Sequence, residues 1–143
     1  LVGSEMCIRD RSMANHMMVQ KKLMEQLKDT GLTLGQPKVL DYLKDHDGAS
    51  QKEIAAGCLI EAGSLTSILN RMEEKGLIER KMLNGNRRTF HIFMTESGKK
   101  NQKLVEETFE KIEETALNNV SEEEQKVFME IFLRIYRNLA EIK

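Results

Sequence analysis

The sequence predicts a mostly helical α+β chain carrying one small β-hairpin, and three observations lead there. Apolar residues recur at three- and four-residue spacing through most of the chain, as one face of a helix requires. Helix-capping signals stand before several of these runs. An Asn-Gly pair at residues 84 and 85 separates two short alternating segments, a strong hairpin signal. Composition agrees: five Phe, two Tyr, no Trp and a single Pro suit helices better than an aromatic-rich sandwich or barrel. With 40% hydrophobic residues in 143, the chain can build the core of one ordinary domain.

Residues 1–11, LVGSEMCIRDR, carry no sustained period and resemble translated adapter or vector sequence, so they are read as a non-native leader. Residues 12–30 hold the first helix, with Met17, Leu23, Met24 and Leu27 apolar and Asp29-Thr30-Gly31 as its stop. A second helix follows Leu34-Gly35-Gln36, with Pro37 tolerated in its first turn and Val39, Leu40 and Leu43 on one face. Asp47-Gly48 closes it. Ser50 and Glu53 have the spacing of a reciprocal capping box and open a short helix through Ile54 and Ala55. After Gly57-Cys58-Leu59-Ile60 comes a longer helix, about 62–75, with Leu65, Ile68, Leu69 and Met72 on one face and Gly76 as its stop.

Residues 78–82 and 89–94 then alternate around Leu83-Asn84-Gly85-Asn86 and read as a two-stranded wing. Thr95 caps a long helix with Val105, Phe109, Ile112 and Ala116 in register. Ser121 and Glu124 form a second capping box. The last helix carries Phe128, Phe132, Ile135, Leu139 and Ile142, which step four, three, four, three as a helix–helix seam does. Two long terminal helices on so small a domain have too little partner surface within one chain, so this seam predicts a homodimer. Residues 96–143 are expected to serve dimerisation together with residues 12–30.

Several function classes are disfavoured by what the chain lacks. No apolar run approaches the ~20 residues that cross a bilayer, and the N-terminus lacks a secretory layout, so the expected compartment is the cytoplasm, away from membranes. Cys7 and Cys58 match neither a disulfide framework nor a zinc motif. His16, His46 and His91 are scattered, and no nucleophile–base pair, phosphate loop or metal cluster is legible. Neither an enzyme nor a cofactor or metal is expected. The formal charge of −1 argues against a general polyanion binder, but the charge is unevenly spread. Residues 80–91 hold Arg80, Lys81, Arg87 and Arg88 with no carboxylate, whereas residues 96–143 hold eleven Asp and Glu against eight Lys and Arg.

Short helix, tight turn, longer amphipathic helix and basic hairpin, in that order, make a winged helix-turn-helix over residues 31–95. The chain here resembles the MarR family of transcriptional regulators, through GLTLGQPKVLDYL, SQKEIA, SLTSILNRMEEKGLIER, a wing ending in Arg-Arg, and MTESGK. The resemblance implies a homodimer on a palindromic double-stranded DNA operator, in a repressor that answers a ligand or a stress. Opposite its apolar stripe the longer helix offers Gly63, Ser64, Thr66, Ser67, Asn70 and Arg71. By similarity, Ser64, Thr66, Ser67 and Asn70 are candidates for base and phosphate contacts and Arg71 for a phosphate. The bland alternative is a solvated helix face.

Gln51, at the start of the preceding helix, could meet a phosphate beside that helix's free N–H groups. In the wing, Arg87 and Arg88 are candidates, and the resemblance puts Arg88 where the family carries its minor-groove arginine, a site of enhanced negative potential. Two departures stand out. Asn86 occupies a position where many members have Asp, and Glu61 stands where an Asp cap is common. The resemblance also implies a small phenolic or anionic effector in a cleft between the DNA-binding and dimer regions. Two rival readings remain: a winged helix used only for protein contacts, and a regulator sensing oxidants through Cys58.

Overall fold

Helix signals in the chain are obeyed closely in a computed structural model that describes residues 7–83, 85 and 89–143. The elements are α1 (Ile8–Gln26), a 3-10 turn (Lys28–Thr30), α2 (Gln36–Asp45), α3 (Gln51–Cys58), α4 (Ala62–Glu74), β1 (Ile78–Met82), β2 (Phe90–Met94), α5 (Glu96–Ala116) and α6 (Glu122–Ala140). This is the winged helix-turn-helix order expected. The chain divides into two compact units, Leu1–Glu110 and Lys111–Lys143, with the division inside α5.

α1 starts at Ile8, earlier than its apolar period suggested. The reason lies in its burial: Leu23 alone is buried within α1, while Met13, Met17 and Met18 stand exposed. Helix geometry here outruns the stretch that packing marks. Residues 1–6, part of the expected leader, lie outside the described residues.

The core of the first unit joins Val39, Leu40 and Leu43 of α2, Ile54 of α3, and Leu65, Leu69 and Met72 of α4. Ile78 of β1, Ile92 of β2 and Val105 of α5 complete it, all essentially withdrawn from water. The strands are antiparallel, with Ile78 opposite Met94 and Met82 opposite Phe90. A feature that sequence reading missed joins them: Gly48 N–H donates to the Ile92 carbonyl (2.7 Å) and Ile92 N–H to the Ala49 carbonyl (2.9 Å). The Ser50–His91 bridge thus adds a third, minimal strand to the hairpin. So short a segment has no period to detect, so the sequence offered no signal for it.

Ser50 caps α3, its Oγ accepting from Glu53 N–H at 3.2 Å, but the reciprocal half differs from expectation. The Ser50 hydroxyl donates to the Glu53 carboxylate (3.1 Å) instead of the backbone N–H doing so. The turn into α4 is a Schellman closure: Ile60 N–H donates to Ala55 O (3.0 Å) and Leu59 N–H to Ala56 O (3.4 Å). Its left-handed residue is Leu59, at φ 54°, a position usually held by glycine. Gly57 instead lies within α3, where a Cβ would fall 2.1 Å from the Tyr42 ring. It lets α3 approach α2.

The start of α5 is fixed by Thr95, whose Oγ1 accepts from Gly98 N–H (3.0 Å) and donates to the Gly76 carbonyl (2.6 Å). Gly98 is required by contact: an added Cβ would stand 2.0 Å from the Leu77 carbonyl oxygen. Further along α5, the Lys44 ammonium of α2 pairs with the Glu106 carboxylate. In the second unit, the expected capping box is complete. Ser121 Oγ accepts from Glu124 N–H (3.1 Å), and the Glu124 carboxylate accepts from Ser121 N–H (3.0 Å). α6 buries none of its residues.

These contacts make two sets of variants informative. Gly98→Ala should lower unfolding free energy by about 1–3 kcal/mol, because backbone must give way, whereas Gly63→Ala, with open space around its Cβ, should raise it by up to about 1 kcal/mol. Urea unfolding of both variants checks the opposite signs. For pH, hydrogen bonds from Ser121 hold the Glu124 carboxyl below its ordinary value, and the Lys44 hydrogen bond does the same for Glu106. Depressed folded values mean that the stability is fully present above the unfolded Glu value, ~4.3, and is lost as pH falls through the folded ones. Glu124→Gln keeps an acceptor without a titrating proton. Urea midpoints at fixed protein concentration should therefore fall less steeply below pH ~4.5 in this variant than in the parent.

Candidate nucleic-acid interface

α4 packs against α2, α3 and β1, and this sets the direction of its polar face. With Leu65, Leu69 and Met72 inaccessible, the positions on the opposite side of the helix must look outward. Ser64, Thr66, Ser67, Asn70 and Arg71 are all exposed, as is Gly63. One member of the expected stripe differs: Ile68 is half-buried and borders a cavity.

Gln51 is not a free side chain. Its Nε2 donates to Thr66 Oγ1 at 2.7 Å, while that hydroxyl donates to the Ala62 carbonyl at 3.0 Å. The contact braces the first turn of α3 on α4 and commits the Thr66 hydroxyl in both directions. Glu61, the N-cap of α4, makes no side-chain capping bond, in keeping with glutamate's weakness at that position. The first N–H groups of α4 are left without a cap from that side chain.

The basic stretch at the wing is partly neutralised by carboxylates, one of which sequence distance concealed. Arg80 Nη1 lies 3.7 Å from Glu73 of α4, and Lys81 lies 3.6 Å from Glu79. Lys81 also sits over the Phe93 ring, 5.3 Å from its centroid. Arg80 is mostly covered, its Nε and Nη2 lacking a hydrogen-bond partner among the described residues, and it joins the foot of the hairpin to α4. Arg87 and Arg88, together with Asn84 and Asn86, lie outside the described residues. Gly85 has φ 71°, as a tight hairpin turn needs.

Two features without a local sequence signal emerge from the packing. Lys75, the C-cap of α4, reaches back to the segment leading into α2: Nζ donates to Gly31 O at 2.5 Å and to Gln36 Oε1 at 3.2 Å. A cavity of about 590 Å³ opens among α1, α2, the α3–α4 turn, α4 and α5 of the first unit. Leu23, Met24, Pro37, Ile60, Ile68 and Phe109 give it apolar walls, and His16, Gln20 and Lys38 supply its polar groups. Neither could be read from local periodicity, since both are made by residues distant in sequence.

Cys58 is buried in the same wall, with Sγ 3.7 Å from the Lys38 carbonyl. Burial pushes its thiol pKa up, opposite to what a reactive thiolate needs. Among the described residues no group of three or more His, Cys, Asp or Glu could hold a metal ion. His46 and His91 each bond a backbone carbonyl, of Tyr42 and Gly48. No described helix is long and apolar enough to cross a membrane.

Comparison with known proteins converges on one group. Residues 30–89 match the model of the MarR family. The uncharacterised HTH-type transcriptional regulator YwoH of Bacillus subtilis (strain 168) is 30% identical over 115 residues, covering 80% of this chain and 83% of its own. The S. aureus MepR–DNA complex superposes with a TM-score of 0.87 at 24% identity, over 96% of this chain and 99% of that one. PcaV from Streptomyces coelicolor, crystallised with its natural ligand, gives 0.82 at 15% identity over 96% of both chains. With a winged helix-turn-helix, an outward polar face on α4 and these relatives, the chain belongs to the MarR family of transcriptional regulators.

Proposed function

We propose that this regulator acts in the cytoplasm as a homodimer, binding a palindromic duplex operator and repressing transcription until a ligand or stress signal releases it. The observation that carries the reading is the outward polar face of α4 opposite the buried Leu65, Leu69 and Met72. Ser64, Ser67 and Asn70 on that face match the donor and acceptor edges of the major groove. Arg71 is suited to a phosphate. Gln51 and Thr66 meet the DNA backbone as a braced pair, with the second N–H of Gln51 Nε2 as the donor for a phosphate oxygen. Arg87 and Arg88 at the wing take the adjacent minor groove, where a guanidinium is favoured by the local potential. MepR, similar in fold, was crystallised on DNA.

α6 supports the homodimer. Phe128, Phe132 and Leu139 are 57%, 47% and 61% exposed, and Ile142 beyond the helix is 73% exposed. Ile135 is half-buried. An apolar seam of this length left in water invites a second copy. Residues 12–30 contribute their exposed methionines to the same purpose, and residues 96–143 form the larger share. The cavity of the first unit, mostly apolar with Lys38 in its lining, suits a small phenolic or anionic effector. PcaV, again similar in fold, holds its natural ligand. The oxidant-sensing alternative is disfavoured by the burial of Cys58. A purely protein-binding winged helix has no observation in its favour.

Selection of bound fragments from genomic DNA, followed by anisotropy titrations at several salt concentrations, tests the reading. The operator should carry half-sites ~10 base pairs apart centre to centre and bind with a Kd of roughly 10⁻⁸ to 10⁻¹¹ M. Equal affinity for every duplex would sink sequence-specific regulation. Arg88→Ala should lower the salt slope by about one phosphate-equivalent per subunit, and the Arg87/Arg88 double variant by more. An unchanged slope in the folded double variant would exclude the wing from DNA. Phe128→Glu with Phe132→Glu should yield monomers in sedimentation at micromolar concentration and abolish operator binding at that concentration. A dimer surviving both changes would move the interface elsewhere.

A further inference from the structure

The C-terminal end of α4 is tied to the start of α2 by a small polar cluster that joins the exposed Lys75 to the buried Gln36. Gln36, the first residue of α2, is wholly buried. Its Oε1 accepts two bonds, from Thr33 N–H at 3.0 Å and from Lys75 Nζ at 3.2 Å. Lys75 Nζ also donates to the Gly31 carbonyl at 2.5 Å. Both partners of Oε1 are donors, which settles the orientation of the amide. Gln36 Nε2 then has no hydrogen-bond partner among the described residues.

Burying such a group costs more than burying a leucine of similar size. Apolar contacts between α2 and α4 would hold the helices together without it, but they tolerate small slides and rotations. A directed bond from a helix cap does not. At the other end of α4, Gln51 Nε2 grips Thr66. α4 is therefore pinned near both ends by side-chain hydrogen bonds from different helices, with the candidate base-reading residues Ser67 and Asn70 between the pins.

We propose that Lys75 and Gln36 are positioning residues for sequence recognition: their hydrogen bond sets the axial and rotational placement of α4, although neither side chain belongs to the candidate DNA-contacting set. The inference rests on the proposed DNA-binding role. Base-edge bonds need placement within about half an ångström, whereas long phosphate-binding side chains adapt to a shifted backbone. Loss of the pin should then cost specificity before it costs general affinity.

The test uses the full chain and the operator fragment recovered from genomic selection. Lys75→Met and Gln36→Leu should each weaken operator binding about three- to tenfold, the scale of one lost hydrogen bond. Binding to an unrelated duplex at low salt should change less than about twofold, because the phosphate contacts remain. The double variant should resemble either single one, since both remove the same bond. Gln36→Glu keeps the acceptor for Thr33 and Lys75 and should retain the operator-to-unrelated ratio. All titrations are run well below each variant's unfolding transition, so a change in this ratio is not a loss of folded protein. If Gln36→Leu fails to fold, Lys75→Met carries the test, because Lys75 is exposed. An unchanged ratio in folded Lys75→Met overturns the inference alone. A parent protein that prefers no duplex over another overturns it together with the DNA-binding reading.

Discussion

Burial of Leu65, Leu69 and Met72 on one face of α4 is the constraint from which the rest of the first unit follows. Each such side chain contributes about 1.5–3 kcal/mol when removed from water. Turning the helix by half a revolution would expose all three and bury Ser64, Ser67 and Asn70 without partners, which costs on both counts. α4 has one stable orientation. Its outward polar face is therefore a consequence of core formation rather than a separate feature, and any recognition it performs draws on the stability of the whole unit.

Around that orientation the neighbouring elements are held by close approach. Gly57 lets α3 sit against the Tyr42 ring, and Gly98 lets α5 lie on the Leu77 carbonyl, each where a Cβ would overlap its neighbour. The α3–α4 turn closes through Leu59 in a left-handed conformation, which costs a non-glycine residue roughly 1–2 kcal/mol. The Schellman bonds and the packing of Ile54 and Cys58 offset that cost. The angle between α3 and α4 is thus set by bonded and packed groups, which is what allows Gln51 to reach Thr66.

Helices and wing were legible because their signals are local. Ser121 and Glu124 lie three residues apart, and Leu65, Leu69 and Met72 recur at helical spacing, so a reader of the chain sees each feature whole. The misreadings share an opposite property. Ser50 has the box spacing at α3, yet its hydroxyl turned to the Glu53 carboxylate, and the backbone there joined β2. Arg80 looked unpaired because Glu73 belongs to another element. The bond from Gln51 to Thr66 went unseen because the two lie fifteen residues apart. The contacts of Lys75 and the lining of the cavity had no local signal, since chain distance hides contacts that only the assembled helices create.

On the proposed reading, charge is what ties DNA binding to dimerisation. A net charge of −1, with Arg80 and Lys81 set against Glu73 and Glu79, leaves a modest basic surface beside α4 among the described residues. Each phosphate neutralised adds about 0.9 to the salt slope on duplex DNA, so one such surface binds weakly. Joining two copies makes the second engagement intramolecular, and the gain can reach ~10²–10⁴ without any new contact. On the proposed reading, the exposed seam of α6 is what makes so modest a basic surface sufficient. The same dependence would keep an isolated subunit off DNA, so dimer affinity and operator occupancy would be set by one equilibrium.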